Sequence, residues 1–154
     1  MIINATTGTS FLGAISFIYQ EHEKDFTEEQ KPKILEENMV FGTVPEQAYL
    51  MQSIAIRNAR SSRPVLNLSI SFHLEEKITE EMRDLIFDKI LEELGATRDN
   101  NQFIIAQHFD AAYVHYYILI NKVGFDSKNI NSSDIINKSQ VIADKVELEV
   151  GLRL

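Results

Sequence analysis

The chain has 154 residues, 44% apolar and 25% charged, the make-up of a soluble globular protein, and its length suits one domain over 1–154. Fifteen basic residues against 23 acidic ones leave a net charge of −8, so a nucleic-acid partner needs a local basic patch. The absence of cysteine excludes a disulfide framework, a thiolate zinc site and a thiol nucleophile. No run approaches the ~18 apolar residues of a membrane span, and Met1-Ile2-Ile3-Asn4 lacks a basic flank, so a cytoplasmic protein without a secretory signal is expected.

Residues 1–6 (MIINAT) read as a short strand closed by Gly8. From Thr9 to about Gln20, Phe11, Leu12, Ile15, Ile18 and Tyr19 recur at helical spacing, with Thr9 or Ser10 as cap. Gly13 inside this helix suggests close packing against another backbone. Residues 21–37 hold seven acids against three bases; the first part reads as a loop or frayed helix end, and ILEENMVF as a short strand. Thr43 caps a second helix running to about Arg60, with Pro45 in its first turn. No acid occurs from 47 to 74, where Arg57, Arg60 and Arg63 stand. These arginines form either a phosphate-facing edge or a solvated helix end and loop.

Residues 64–74 give the clearest strand: Leu66, Leu68, Ile70, Phe72 and Leu74 alternate with Asn67, Ser69, Ser71 and His73. Thr79 opens a helix through Leu94, with a stripe of Met82, Leu85, Ile86, Ile90 and Leu94 and Gly95 as its stop. Eight acids against three bases fall in 75–93. Two strands follow, 102–110 and 114–124, joined by Ala111-Ala112-Tyr113. A last helix spans roughly 133–150, with Ile135, Ile136, Ile142, Val146 and Val150 as apolar positions. The order β-α-(β)-α-β-α-β-β-α with an adjacent hairpin predicts an α+β fold, a central, mostly antiparallel sheet flanked by helices.

Chemistry concentrates in that hairpin, QHFDAAYVHYYILIN. On a strand alternate side chains share a face, so His108 pairs with Asp110, and His115 with Tyr117 and Asn121. A tight turn brings His108 within cross-strand reach of His115 when the register sets both on one face. Two imidazoles with a carboxylate to orient one of them suit part of a divalent metal site; hydrogen-bonded sheet histidines are the alternative. His22 and His73 read as surface residues.

His108-x-Asp110, then His115 and Tyr117 in the places of a His-x-His pair, then Asn121, resembles the metal-binding signature of plasmid mobilisation relaxases. These are DNA-nicking enzymes of the HUH endonuclease class, and the likeness is greatest to the branch in Bacteroidetes mobile elements. ATTGTSFLGAISF is similar to the family's N-terminal stretch, NLSISFHLEEKIT to its central strand, and KVELEVGLRL to its closing helix. The resemblance implies a relaxase fold and a tyrosine on the first helix that attacks a phosphate in single-stranded DNA at a transfer origin. It also implies three histidines holding magnesium or manganese, and a covalent 5′-phosphotyrosine product.

Two positions depart from that pattern. The third ligand position is Tyr117, a neutral phenol at ordinary pH and a poor partner for a hard divalent ion. The position aligned with the nucleophile, after Gly13-Ala14-Ile15-Ser16, is Phe17. Tyr19 lies two residues on, about 200° around a helix, so it serves as nucleophile only if the helix ends early or the alignment shifts. Tyr113 stands where the family often has a further histidine. Nicking is therefore expected to be weakened or lost, with three readings in view. One keeps catalysis, with Tyr19 as nucleophile, Asp110 behind the histidines, and His108 and His115 (with Tyr117 at the third position) around magnesium, manganese or no metal. Another is a non-catalytic protein that binds single-stranded DNA or relaxosome proteins, with Arg57, Arg60 and Arg63 on the phosphates or as a plain interaction scaffold. The last is an unrelated metal-dependent hydrolase, supported only by the histidine pair.

Overall fold

The alternation in VLNLSISF sets the layering of the protein. A computed structural model describes residues 1–73, 75–131 and 135–151, the side chain of Ile136 excepted. In chain order the elements are β1 (Ile2–Gly8), α1 (Phe11–Ile18), β2 (Lys33–Asn38), α2 (Val44–Ala55), β3 (Val65–Phe72), α3 (Glu80–Leu94), β4 (Phe103–His108), β5 (Val114–Asn121) and α4 (Ile135–Val150). The strands form one sheet in the order β1-β3-β5-β4-β2, and every neighbouring pair is antiparallel. The expected α+β architecture with an antiparallel sheet is what forms.

Leu66, Leu68, Ile70 and Phe72 of β3 join Tyr116, Ile118 and Ile120 of β5 on one face, packed against Ile86, Phe87, Ile90 and Leu91 of α3 and Val146 of α4. On the other face Val65, Ile104, Ala106 and Leu119 pack against Phe11, Ile15 and Ile18 of α1 and Met51 and Ile54 of α2. Helices thus cover both sides of the sheet, but unequally. An eight-residue α1 is only about 12 Å long, and the polar half of β3 beside β1 stays open next to it.

Local chemistry accounts for the helix starts. Ser10 caps α1, its Oγ accepting from Gly13 N at 3.0 Å. Thr43 and Glu46 form a reciprocal capping box at α2, with Pro45 in the first turn. Thr79 caps α3, and Gly95 ends it in the left-handed conformation at φ 77°.

Several expectations change in detail. Gly13 meets no foreign backbone: a Cβ there would find only Ser10, its Oγ at 3.4 Å, so close packing does not account for the glycine. The second helix stops at Ala55 rather than near Arg60. Beyond it the chain turns to bond the loop after β5, with Asn58 Nδ2 donating to Ser127 O at 3.0 Å and Ser61 Oγ to Asn129 Oδ1 at 2.7 Å. On α3, Leu85 is exposed while Phe87 and Leu91 are buried, because this helix meets both the sheet and α4. Leu74, the start of the expected last helix at 133–134 and the side chain of Ile136 lie outside the described residues.

Candidate functional site

The hairpin register places His108 directly opposite His115, and Ala106 opposite Tyr117. Odd-numbered β5 residues and even-numbered β4 residues therefore share the face turned towards α1. Here His108, Tyr117 and Phe17 pack as one group. The His108 ring lies 4.4 Å from Tyr117 and 5.5 Å from Phe17, and Phe17 meets Tyr117 edge-on at 5.2 Å. Only 2% of His108 is exposed, against 53% of Phe17, so the phenylalanine shields the imidazole from solvent.

His108 is committed to the backbone. Its Nε2 lies 2.8 Å from the carbonyl oxygen of Ile18; a carbonyl only accepts, so Nε2 carries the proton. Burial pushes the His108 pKa down, against the raising effects of this bond and of Asp110. Two residues on, Asp110 Oδ2 accepts from Gln20 Nε2 at 3.1 Å. Gln20 itself sits at φ 51°, a conformation that turns the chain sharply off α1. The His-x-Asp pair thus clamps the C-terminal end of α1 to the end of β4.

This donor set does not fit a divalent ion. His108 keeps a lone pair only on Nδ1, its Nε2 proton being held by Ile18, and the ring is 2% exposed in an aromatic pocket closed by Phe17. Tyr117 is a phenol whose pKa is raised by burial and then by Asp110, further from the phenolate a metal would take. Among the described residues no group of three or more His, Cys, Asp or Glu is arranged to hold a metal. No step below runs through one.

Tyr19 lies apart from this group. It is the C-cap of α1, and its hydroxyl donates to Glu37 and accepts from Gln47 Nε2 at 2.9 Å. Glu37 pairs with Ile104, four residues along β4 from His108. Burial, with Glu37 as acceptor, pushes the Tyr19 pKa up to about 12. Asn121, the end of the family-like signature, is a buried tie between elements. Its Nδ2 donates to Met51 O at 2.9 Å and Gln102 Oε1 at 3.0 Å, and its Oδ1 accepts from Val123 N at 3.1 Å.

The arginines lie in the loop after α2. Arg57 donates to Phe125 O at 3.2 Å and stacks over the Phe125 ring at 5.7 Å. Arg63 holds Thr7 through its carbonyl at 2.6 Å and its Oγ1 at 3.0 Å, and Arg60 is exposed.

The sequence reading missed the open floor beside α1. A hollow of about 330 Å³ is lined by Asn4, Thr6, Asn67, Ser69, Phe17 and Tyr117 among others. A second, of about 210 Å³, continues along the same strands with Ile2, Ser71, His73, Tyr113 and His115. Neither lining contains Asp, Glu, Lys or Arg. Amides, hydroxyls and imidazoles line an aromatic-rimmed trough across β1, β3 and β5. Its signal was in the sequence, since residues 1–20, 47–74 and 111–125 contain no acid and these segments supply the trough's walls and floor.

The geometry can now be set beside known proteins. No curated protein matches this sequence. A solved structure reported under "Molecular Basis of Vancomycin Resistance Transfer in Staphylococcus aureus" is similar over 100% of this chain and 96% of that one. The TM-score is 0.51 at 12% identity, a likeness of fold alone. The family model "Relaxase: MobA/VirD2-like, nuclease domain" matches residues 19–152, which take in the whole hairpin with His108, Asp110, His115 and Tyr117. A match over most of the length, on a sheet with this histidine register, means that the chain belongs to the MobA/VirD2-like relaxase nuclease-domain family.

Proposed function

We propose that this is a mobilisation-protein domain of one piece, of the kind found in Bacteroidetes mobile elements, that binds single-stranded DNA in the cytoplasm without nicking it. The observation that carries this reading is the Phe17 ring packed over His108 and Tyr117. At the place that the resemblance aligns with the attacking tyrosine, just before the residues 19–152 matched by the family model, there is a hydrocarbon ring with no nucleophilic atom, and the imidazole beneath it is 2% exposed. Tyr19 is a poor substitute, because a phenol with a pKa near 12 yields almost no phenolate at neutral pH.

Binding is a separate matter from cleavage. An uncharged trough with Phe17, Tyr113 and Tyr117 on its walls suits bases, which stack on aromatic rings and bond to amides and hydroxyls. The Asp-free and Glu-free segments that build it spare the phosphates the repulsion that a net charge of −8 would otherwise impose. A second reading, a scaffold for relaxosome proteins, draws on the exposed apolar group of Phe41, Pro45 and Tyr49 at α2.

A denaturing-gel assay with single-stranded transfer-origin oligonucleotides and manganese separates these outcomes. Expected is no covalent adduct, alongside retention of the oligonucleotide on native gels that is weakened in Tyr117→Ala. An adduct abolished by Tyr19→Phe would sink the claim of lost chemistry, and no retention at all would favour the scaffold.

A further inference from the structure

Two loops at one end of the sheet form a unit that the trough does not include. Residues 56–64 follow α2 and residues 122–130 follow β5. They are laced together by Arg57 to Phe125 O, Asn58 to Ser127 O, Ser61 to Asn129 Oδ1, and Lys122 N to Pro64 O at 2.8 Å. They carry Arg57, Arg60, Arg63, Lys122 and Lys128 against a single acid, Asp126. Asp126 Oδ1 is taken by the backbone N of Lys128.

The distinguishing feature is that five cations without counter-charge stand together. Elsewhere Lys31, Arg83, Lys89, Arg98 and Lys145 each have a carboxylate partner, and Lys24, Lys33 and Lys77, which have none among the described residues, lie in the acid-rich stretches 21–37 and 75–93. Among the described residues none of the five loop cations has such a partner. Lys122 is only 7% exposed, and burial together with the nearby Arg63 lowers its pKa. A desolvated cation beside a second cation is an arrangement that an anion would relieve. The position is informative too. Thr6 pairs with Asn67 at the end of the trough, and the next residue, Thr7, is the one Arg63 holds.

We propose that this loop pair is a phosphate seat, in which the exposed Arg57, Arg60, Arg63 and Lys128, with the charge of the buried Lys122 behind them, take successive backbone phosphates of a single strand leaving the trough past Thr6 and Asn67. The proposal rests on the strand-binding reading above and divides the labour: the trough meets bases, the loops meet phosphates. Base contacts are nearly insensitive to salt, whereas each neutralised phosphate of a single strand contributes about −0.7 to the slope of log affinity against log salt.

The experiment is a salt series of fluorescence anisotropy titrations with a labelled oligo-thymidine and the whole chain. Lys128→Gln and Arg63→Gln should each flatten the slope by about 0.7. Arg60→Gln, at an exposed position that folding does not need, should flatten it as well. Tyr117→Ala should weaken binding with the slope intact, and Lys24→Gln, in the acidic loop, should change neither. Binding whose slope is the same in all three cation variants as in the parent would overturn the seat while leaving strand binding standing. If the parent binds no oligonucleotide, the strand-binding reading fails. Amide shifts in a titration with inorganic tripolyphosphate then judge the seat alone. Shifts confined to 56–64 and 122–130 uphold it, and their absence overturns it.

Discussion

His108 illustrates how a hydrogen bond and burial together limit what a side chain can do. A histidine opposite another across a hairpin is compatible with ligation or with a structural bond, and sequence spacing does not separate the two. Packing does: the Ile18 carbonyl takes the Nε2 proton and leaves a lone pair on Nδ1, but the ring is closed off from solvent beneath Phe17. Tyr19 is decided by Glu37 and Gln47. Its folded-state pKa of about 12 lies above the ordinary 10, so it favours the fold while neutral. That contribution is complete below pH 10 and is lost as pH rises towards 12. A phenolate-absorbance titration of the parent minus Tyr19→Phe should show one group ionising near 12; a difference curve centred near 10 would refute the assignment. Gly13 offers a complementary case. With only Ser10 near its missing Cβ, Gly13→Ala should raise stability by up to about 1 kcal/mol in urea unfolding. A loss of similar size would mean that the cap cannot tolerate the methyl group.

Among elements, the helices on the two faces of the sheet are held by different means. The α3–α4 side is an apolar layer, readable from periodicity. The α1–α2 side mixes a smaller apolar cluster with polar ties, and these were legible only as residue types. His108 and Asp110 clamp α1, and Asn121 joins β5 to α2 through Met51 and to β4 through Gln102. Asn121→Ala should therefore cost about 3 kcal/mol, since it strands a carbonyl, an amide oxygen and an N–H in a buried place. Urea unfolding measures this, and a loss below about 1 kcal/mol would show that water replaces the side chain. Asn121, placed by the sequence reading in line with His115 and Tyr117, does share their face, yet α2 covers it and it takes no part in the open trough.

For the whole molecule, net charge is a misleading guide because the acids are segregated. The stretches 21–37 and 75–93 carry 15 of the 23 acids, while 1–20, 47–74 and 111–125 carry none. The fold gathers the acid-free stretches into β1, α1, β3 and β5, so the face proposed to meet a strand has little of the field implied by −8. Amide shifts on adding a single-stranded oligonucleotide should map to these elements and to the loops at 56–64 and 122–130, leaving α3 and α4 unchanged. Shifts centred on α3 or on the Phe41–Tyr49 group would place the partner elsewhere.

Sequence alone determined the class of fold, the order of elements and most caps, because these depend on local periodicity and on side chains bonding the nearest backbone. It also marked His108, Asp110, His115 and Tyr117, since residue type and strand parity are properties of the string. What only the tertiary structure decided was the use of those groups. The β1-β3-β5-β4-β2 order, which depends on long-range pairing, opened a trough between strands distant in the chain. The descent of α1 onto the hairpin brought Phe17 and the Ile18 carbonyl to His108. Contacts between segments some 90 residues apart have no local signature, because their energy exists only once the sheet has closed the distance.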